Sequence, residues 1–476
     1  MHIVIAGNGI LAQSVAFELI QRHPSSKVTI IGQSDRPGSA TLAAAAMLNS
    51  FAEIEHGSLE TEFDRYRFEL SQKAARAWPG FAQRIIDAAG SSGFSATGAS
   101  PQFDCGTFVL NNAAADDLDD ENFDAIVAAL RHYNEPHAFV QPGDIPNYQP
   151  EQRYRALRCV YIEREGWMNP GQVVSSLDEA LRASGRVVFE NDPVSRLAHA
   201  NGRVTGCRCA SGKMVSGDVY LLATGATLTG LLAASELALP IQRVFYGMGV
   251  SVKIRSEGHA HTHCVRTPNR GLACGVYTAP HSYDPVRKTG HILIGATNLV
   301  SPEPLHAARV ANVESLLKAA IQQINTHFYR AELTQINVGW RPTSLDTQPL
   351  LGKTSIDNLF VASGTKRDGF HMAPIIAANL SAMLSGEQPD PGFAQFDPER
   401  KPLRLLTRQA AVDKAVRHQM SAAYQHGFTP PTSRMPDLIR QKIRDDVEKL
   451  HDEVGAHDWG IPPEMLDMYR YGHARA

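Results

Sequence analysis

The 476-residue sequence predicts an α/β protein: a Rossmann-like nucleotide-binding domain interleaved with an antiparallel β-rich domain, followed by a C-terminal helical extension. Three observations carry this reading. The chain opens on a strand, a glycine turn and a helix, "HIVIAGNGILAQSVAFELIQR". A second apolar strand ending in a glycine turn, "DVYLLATGA", comes back only at 218–226. Between that return and the last strands lies a Gly- and Pro-punctuated β-rich stretch over 241–297.

At the N-terminus, residues 2–6 read as a strand, 10–22 as a helix and 28–31 as a second strand. Gly7, Gly9 and Ala12 give G-x-G-x-x-A between strand and helix. Gly7 permits the tight turn, Gly9 lets a pyrophosphate approach the backbone, and Ala12 allows close helix–sheet packing. The helix N-terminus then faces the phosphates. Such folds place an acid at the tip of the second strand to hold a ribose. Here Gly32 and Gln33 stand there, with Asp35 and Arg36 beyond. Either the ribose is held by backbone groups or by a neighbour such as Gln33 or Ser34, or Arg36 marks an NADP-type site.

Next, "GSATLAAAAML" (38–48) offers small residues that let backbone pass close to a flat ring or pyrophosphate; an Ala-rich packed helix is the plain alternative. A helical stretch over 59–89 is expected to break near Pro79. "GTFVLN" (106–111) reads as a strand and 117–132 as a helix. "VYIEREGWMNPGQVVSSLDEALRASG" reads as strand, turn ending at Pro170, and helix. Short strands crowd 186–222. The returning "LLATGA" favours FAD over NAD, since flavoproteins with this opening use such a strand. A helix follows near 306–327, and "QINVGWRP", "PLLG" and "NLFVASG" lead to a helix from about 370. After Pro398 the chain turns charged and helical, broken by "TPPTSRMP". The expected division is 1–90, 160–235 and 335–400 for the nucleotide domain, 91–159 and 236–334 for the β-rich substrate domain, and 401–476 for the extension.

Composition excludes several classes. Hydrophobic residues at 43%, charged residues at 20% and a net charge of −3 give no electrostatic case for nucleic acid or an anionic membrane. No apolar run reaches spanning length. The N-terminus enters its first strand without a signal peptide, so a cytoplasmic protein is expected. The six cysteines show no CxxC pair; Cys207 and Cys209 share a strand face and read as buried thiols. His259, His261 and His263 would share a face if extended, but a loop leading into the Tyr277 strand is the simpler reading, and no metal is expected. Trp459, Tyr469 and Tyr471 suit docking onto the body or a second subunit, and surface packing is the simpler role.

Two late stretches carry chemistry. Arg341 precedes Pro342 and should end its strand at a sheet edge or mouth. There an arginine grips a carboxylate in a bidentate fork or makes a salt bridge. "SGTKRDG" is a glycine-rich turn ahead of a helix, either an anion-stabilising end or a start capped by Asp368.

Together these segments resemble the FAD-dependent D-amino-acid oxidase superfamily, glycine oxidases most of all, from residue 2 to about 385. "GNGILA" resembles the family's FAD loop. "SATLAAAAML" resembles its small-residue segment beside the flavin, with Ala46 where glycine is usual. "CGTFVL", "YIEREGWMNP" and "LLATGA" recur in the same order. "ACGVYTAP…GHILIGATN" resembles the stretch with the substrate-binding tyrosine, here Tyr277. "GWRPTSLDTQPLLG" matches the carboxylate-binding arginine to Arg341. "GTKRDGFHMAP" resembles the closing motif and matches its arginine to Arg367. Thr365, Lys366 and Asp368 depart from that motif.

The resemblance implies a catalytic set of Arg341, Tyr277 and Arg367. It implies FAD contacts from Gly7, Gly9, Ile10 and Leu11, from Gln33 and Ser34, and from Ser39, Ala40, Thr41, Ala45, Ala46 and Met47. Val194, Thr224 and Gly225 join them, with Arg341, Arg367, Asp368, Gly369, Phe370 and His371. Leu42 stands where some relatives attach FAD through histidine, and no cysteine follows Cys274, which implies non-covalent FAD. The implied reaction is oxidation of a small amine or amino acid with oxygen as acceptor. A dehydrogenase serving a carrier and a non-catalytic flavin-binding subunit are the alternatives. Retention of Arg341 and Tyr277 argues against the subunit, and the "ATGA" and "RDGFHMAP" segments argue against NADP. Homo-oligomerisation is left open.

Overall fold

The computed structural model describes residues 1–90, 104–112, 114–284 and 289–474; residues 91–103, at the head of the expected substrate domain, lie outside them. A six-stranded sheet runs in the order Leu350–Lys353, Leu359–Ser363, Val219–Leu222, His2–Ala6, Lys27–Ile31, Val187–Glu190. Its pairings are parallel except at Leu350–Lys353. Ile3 to Ala6 are all buried because both faces of this strand are covered. Ile3 and Ile5 point to helices Ile10–Arg22, Glu62–Ala89, Pro170–Ala183 and Ala373–Leu384. Val4 and Ala6 point to a three-stranded sheet, Val194–Ala200, Arg203–Cys209 and Met214–Val215, whose Cys207 and Cys209 are buried on one face as expected.

The break expected near Pro79 is absent: the helix runs through it from Glu62 to Ala89. An interior proline costs about 3 kcal/mol in a helix, and here buried packing outweighs it. Trp78, Phe81 and Ile85 are buried, Trp78 stacks on Phe370 at 5.0 Å, and Phe81 meets Phe17 edge-on at 5.8 Å.

The second, ten-stranded sheet is mostly antiparallel. It follows the order Leu299–Ser301, Val244–Glu257, Thr289–Gly295, Tyr277–Asp284, Cys264–Arg266, Asp104–Asn111, Arg158–Trp167, Met47–Leu48. Glu332–Ser344 pairs along Val244–Glu257, and His137–Phe139 pairs on Arg158–Trp167. Residues 158–167 and 332–344 therefore sit in the large sheet. Arg341 does not end its strand, which continues through Pro342 to Ser344. Pro342 O accepts the Lys366 N–H, so this residue's polar edge faces away from Val244–Glu257 and the N–H that Pro342 lacks leaves no gap in that ladder.

The extension folds as helices Arg408–Gln425, Met435–Val454 and Leu466–Arg470. Val412, Val416, Leu450, Ile461 and Met465 form a core with Phe245 and Val300 of the large sheet. Trp459 packs on Tyr469, while Tyr471 is 67% exposed. His418 docks the extension by accepting the Leu272 N–H at Nδ1, 2.9 Å away. Burial lowers its pKa from 6.5 to about 4, with Glu55 opposing and Lys414 adding to the shift. The unfolded chain therefore binds this proton between pH 6.5 and 4 and the folded one does not, so stability is full above about 6.5 and falls as the pH drops. The thermal midpoint should decline from pH 7 to 5, with a shallower slope in His418→Gln; equal slopes would show that His418 does not contribute.

Candidate functional site

The strand His2–Ala6 delivers its glycine turn into a crevice between its two neighbours, where the chain passes to Lys27–Ile31 on one side and meets Val219–Leu222 on the other. A cavity of about 600 Å³ starts there and ends among Tyr277, Arg341 and Cys274. Gly7, Gly9, Ile10 and Leu11 line its start. Helix Ile10–Arg22 has no acid in its first turn, and its first N–H is held by Thr41 Oγ1 at 3.2 Å. Gln33, Ser39, Ala40 and Thr41 line it next, then Ala45, Ala46 and Met47, with Val194, Thr224 and Gly225 from the returning strand. Arg367, Asp368, Gly369, Phe370 and His371 complete the wall. Among the expected contacts, Ser34 is the exception: its N–H donates to Asn191 Oδ1 and its carbonyl accepts from Arg36, so it lies off the lining. Leu42 is also off the lining and 37% exposed.

The missing acid at the second strand has a steric correlate. A Cβ on Gly32 would sit 2.8 Å from Asn8 Cβ, so a glutamate there cannot simply be restored. Arg36 takes the space beyond. Its Nε donates to Asn8 O at 2.7 Å and its Nη2 pairs with Asp178 at 2.7 Å. Ala46, standing where glycine is usual, keeps a left-handed φ of 49°, and its carbonyl accepts the Met168 N–H.

At the far end, glycines face both expected substrate residues. Tyr277 lies opposite Gly295, where a Cβ would come within 2.2 Å of the phenol oxygen. Arg341 lies over Gly249, where a Cβ would come within 2.5 Å of Nη2. Arg341 Nη1 donates to Thr297 O at 2.9 Å, while its Nε and Nη2 bond to nothing among the described residues. Burial raises the Tyr277 pKa, keeping it a neutral phenol, and lowers that of Arg341, which stays a cation.

Sequence reasoning missed the charged groups between them. Glu53, from the turn Phe51–Glu53, pairs with Arg266 Nη1 at 2.5 Å and lies 3.9 Å from Arg367. Burial opposes its ionisation, but the two arginines prevail and hold its pKa below the usual carboxylate range. Arg367 Nη1 donates to Cys274 Sγ at 3.1 Å. Glu165 receives the N–H groups of Ser50, Phe51 and Ala52, fixing this turn. Arg367 was expected from its motif, and Cys274 and Glu165 lie inside matched stretches without being singled out. Glu53 and Arg266 belong to no motif, and only Arg266, a fully buried charge in a short apolar strand, stands out by its type.

Asp368 is not a helix cap: the helix begins at Ala373, and Asp368 pairs with Arg67 at 2.9 Å. The three histidines do not gather. His261 is buried on Thr278 Oγ1 and Asn147 O, and His259 stacks on His327 at 3.8 Å.

The donor set fits FAD. Small residues and a helix N-terminus without acids line one end, and cations the other. Two buried wall atoms, Thr224 Oγ1 and His371 Nδ1, have no hydrogen-bond partner among the described residues. Since His371 Nε2 meets Ser71 O at 3.0 Å, it carries the proton, and Nδ1 is left as an acceptor.

Comparison with known proteins agrees. The bifunctional protein ThiO/ThiG of Synechocystis sp. is 27% identical over 402 residues, covering 84% of this chain and 54% of that protein. The chain thus spans a little over half the length of such relatives. Glycine oxidase of Pseudomonas aeruginosa is 24% identical over 406 residues, covering 82% of this chain and 96% of that one. The crystal structure of glycine oxidase from Geobacillus kaustophilus shares the fold with a TM-score of 0.67 at 21% identity, over 84% of this chain and 98% of that one. The family model for DAO, FAD dependent oxidoreductase, matches residues 2–383, which takes in both ends of the cavity. The chain belongs to the DAO family of FAD dependent oxidoreductases, and FAD is its cofactor.

Proposed function

We propose that the protein oxidises a small amine or amino acid bearing a carboxylate. The observation that carries this reading is the meeting of Arg341 and Tyr277 at the end of the cavity that begins at the glycine turn. Arg341 Nε and Nη2 offer a fork to a carboxylate, and the Tyr277 phenol donates a further hydrogen bond. Arg341 makes no ion pair among the described residues, so this end presents an unneutralised cation to an anion. Anchoring by the carboxylate fixes the amine-bearing carbon, and an amine bound neutral needs no side-chain base. FAD, when bound, would supply the two-electron oxidation of the C–N bond to an imine that water hydrolyses, with oxygen as the terminal acceptor giving hydrogen peroxide. We place non-covalent FAD contacts at the residues named above, with Arg367 and His371 at the reacting end.

The purified protein should be yellow, and an anaerobic panel of carboxylated amines should bleach it, with peroxide formed when air is readmitted. Bleaching without peroxide would instead identify a dehydrogenase serving a carrier. Failure of every carboxylated amine to bleach a yellow protein would overturn the proposal.

A further inference from the structure

The family match ends at residue 383, yet residues from 403 onward line a cavity that shares a wall with the reaction site. A second cavity of about 510 Å³ lies beside the first and shares Asn49, Glu53, Thr365, Lys366, Arg367 and Asp368 with it. Its outer wall comes from the extension, including Leu406, Lys414, His418 and Glu464. The partition between the cavities consists of two short segments. One is the turn carrying Glu53; the other is Thr365–Asp368, carrying Arg367, and the two touch through the 3.9 Å Glu53–Arg367 pair.

Each segment is tied to the extension by an ion pair, largely buried at Lys366–Glu464 and half-buried at Lys414–Glu55. Lys414 Nζ meets Glu55 at 2.6 Å, and the Glu464 carboxylate meets Lys366. Lys366 has a left-handed φ of 49°, a conformation L side chains rarely adopt, so its turn needs outside support. Its side chain is 15% exposed and that of Glu464 10%, so each charge is held mainly by its partner. Burial opposes ionisation of Glu464, but Lys366 and Lys414 outweigh it and hold its pKa near 2, so the carboxylate is charged through the neutral range.

We infer that Glu464 and Lys414 are positioning residues for the reaction site: through Lys366 and Glu55 they hold the Glu53–Arg367 contact that separates the two cavities. The extension is thus a working wall of the site. The inference rests on the role proposed above for Arg367. Its test reads the turn itself, so its failure leaves the amine-oxidation reading intact.

The test is amide hydrogen exchange on the full-length, FAD-loaded protein. Glu464→Gln should speed exchange at least tenfold in peptides covering 364–370, and Lys414→Met should do so over 51–57. Asp452→Asn, which breaks the Arg408–Asp452 pair inside the extension, should leave both segments unchanged. The swap Lys366→Glu with Glu464→Lys should restore slow exchange, which a space-filling role would not. Should Glu464→Gln fail to fold, Lys366→Met with Glu464→Gln, which leaves no buried lone charge, reads the same segment. Wild-type exchange at both segments, a rise spread evenly over the chain, or a swapped protein as fast as Glu464→Gln would overturn the inference.

Discussion

Replacing Arg341 with leucine should raise the Michaelis constant for a carboxylated amine by about tenfold to a hundredfold, while the protein keeps its fold and its flavin. A hydrogen bond to a charged group contributes about 1.5–3 kcal/mol, and each 1.4 kcal/mol is about a factor of ten in affinity. The alternative role, a structural salt bridge, has no support in the surroundings: Arg341 makes no ion pair among the described residues, and only Nη1 is bonded, to Thr297 O and Met248 O. Gly249→Ala supplies an independent check. Its Cβ would lie 2.5 Å from Nη2 and 2.6 Å from Cζ, the far end of a flexible side chain, so the guanidinium swings aside and the backbone need not move. The Michaelis constant should rise in the same direction with little change in thermal midpoint. An unchanged Michaelis constant in both variants would remove Arg341 from substrate binding.

The parts legible in sequence are those written in contiguous residues. "HIVIAGNGILA" carries strand, turn and helix start in one run, and the structure keeps all three. "GWRP" pointed to Arg341, which lines the cavity, and misjudged its strand, because Pro342 turns its polar edge away from the ladder. Pro79 misled for a similar reason: the cost of a proline is local, whereas the burial of Trp78 and Phe81 that offsets it depends on helices distant in sequence. The cluster of Glu53, Arg266 and Cys274 around Arg367 stayed illegible. These residues come from separate segments, and only the fold brings them within a few ångströms of one another. The lost ribose acid was visible, but its steric correlate was not: Asn8 and Gly32 are far apart in sequence and adjacent only in the folded crevice.

Gly7→Ala should be severely destabilising. Gly7 holds φ at +114°, where an L side chain is strained by about 1–3 kcal/mol. The added Cβ would lie 2.2 Å from Ala223 O and 2.6 Å from Ala223 C, backbone atoms that have no rotamer to escape into. Relief requires parting the strands, yet Ala223 N–H is bonded to Ala6 O and Gly7 N–H to Ile31 O, each at 2.8 Å. Overpacking of this kind adds about 1–3 kcal/mol, and the sum is a large share of the 5–15 kcal/mol typical of a folded protein. The thermal midpoint of the FAD-free protein should fall steeply. Gly9→Ala separates this backbone effect from phosphate binding. Its Cβ would meet nothing nearer than Thr41 Oγ1 at 3.4 Å, and its φ of −90° suits alanine. That variant should keep its midpoint without FAD and bind FAD more weakly, because the methyl occupies the approach to the helix N-terminus. A Gly7→Ala protein as stable as the wild type would mean that the two central strands are not locked at this turn, and the crevice would lose its rigid floor.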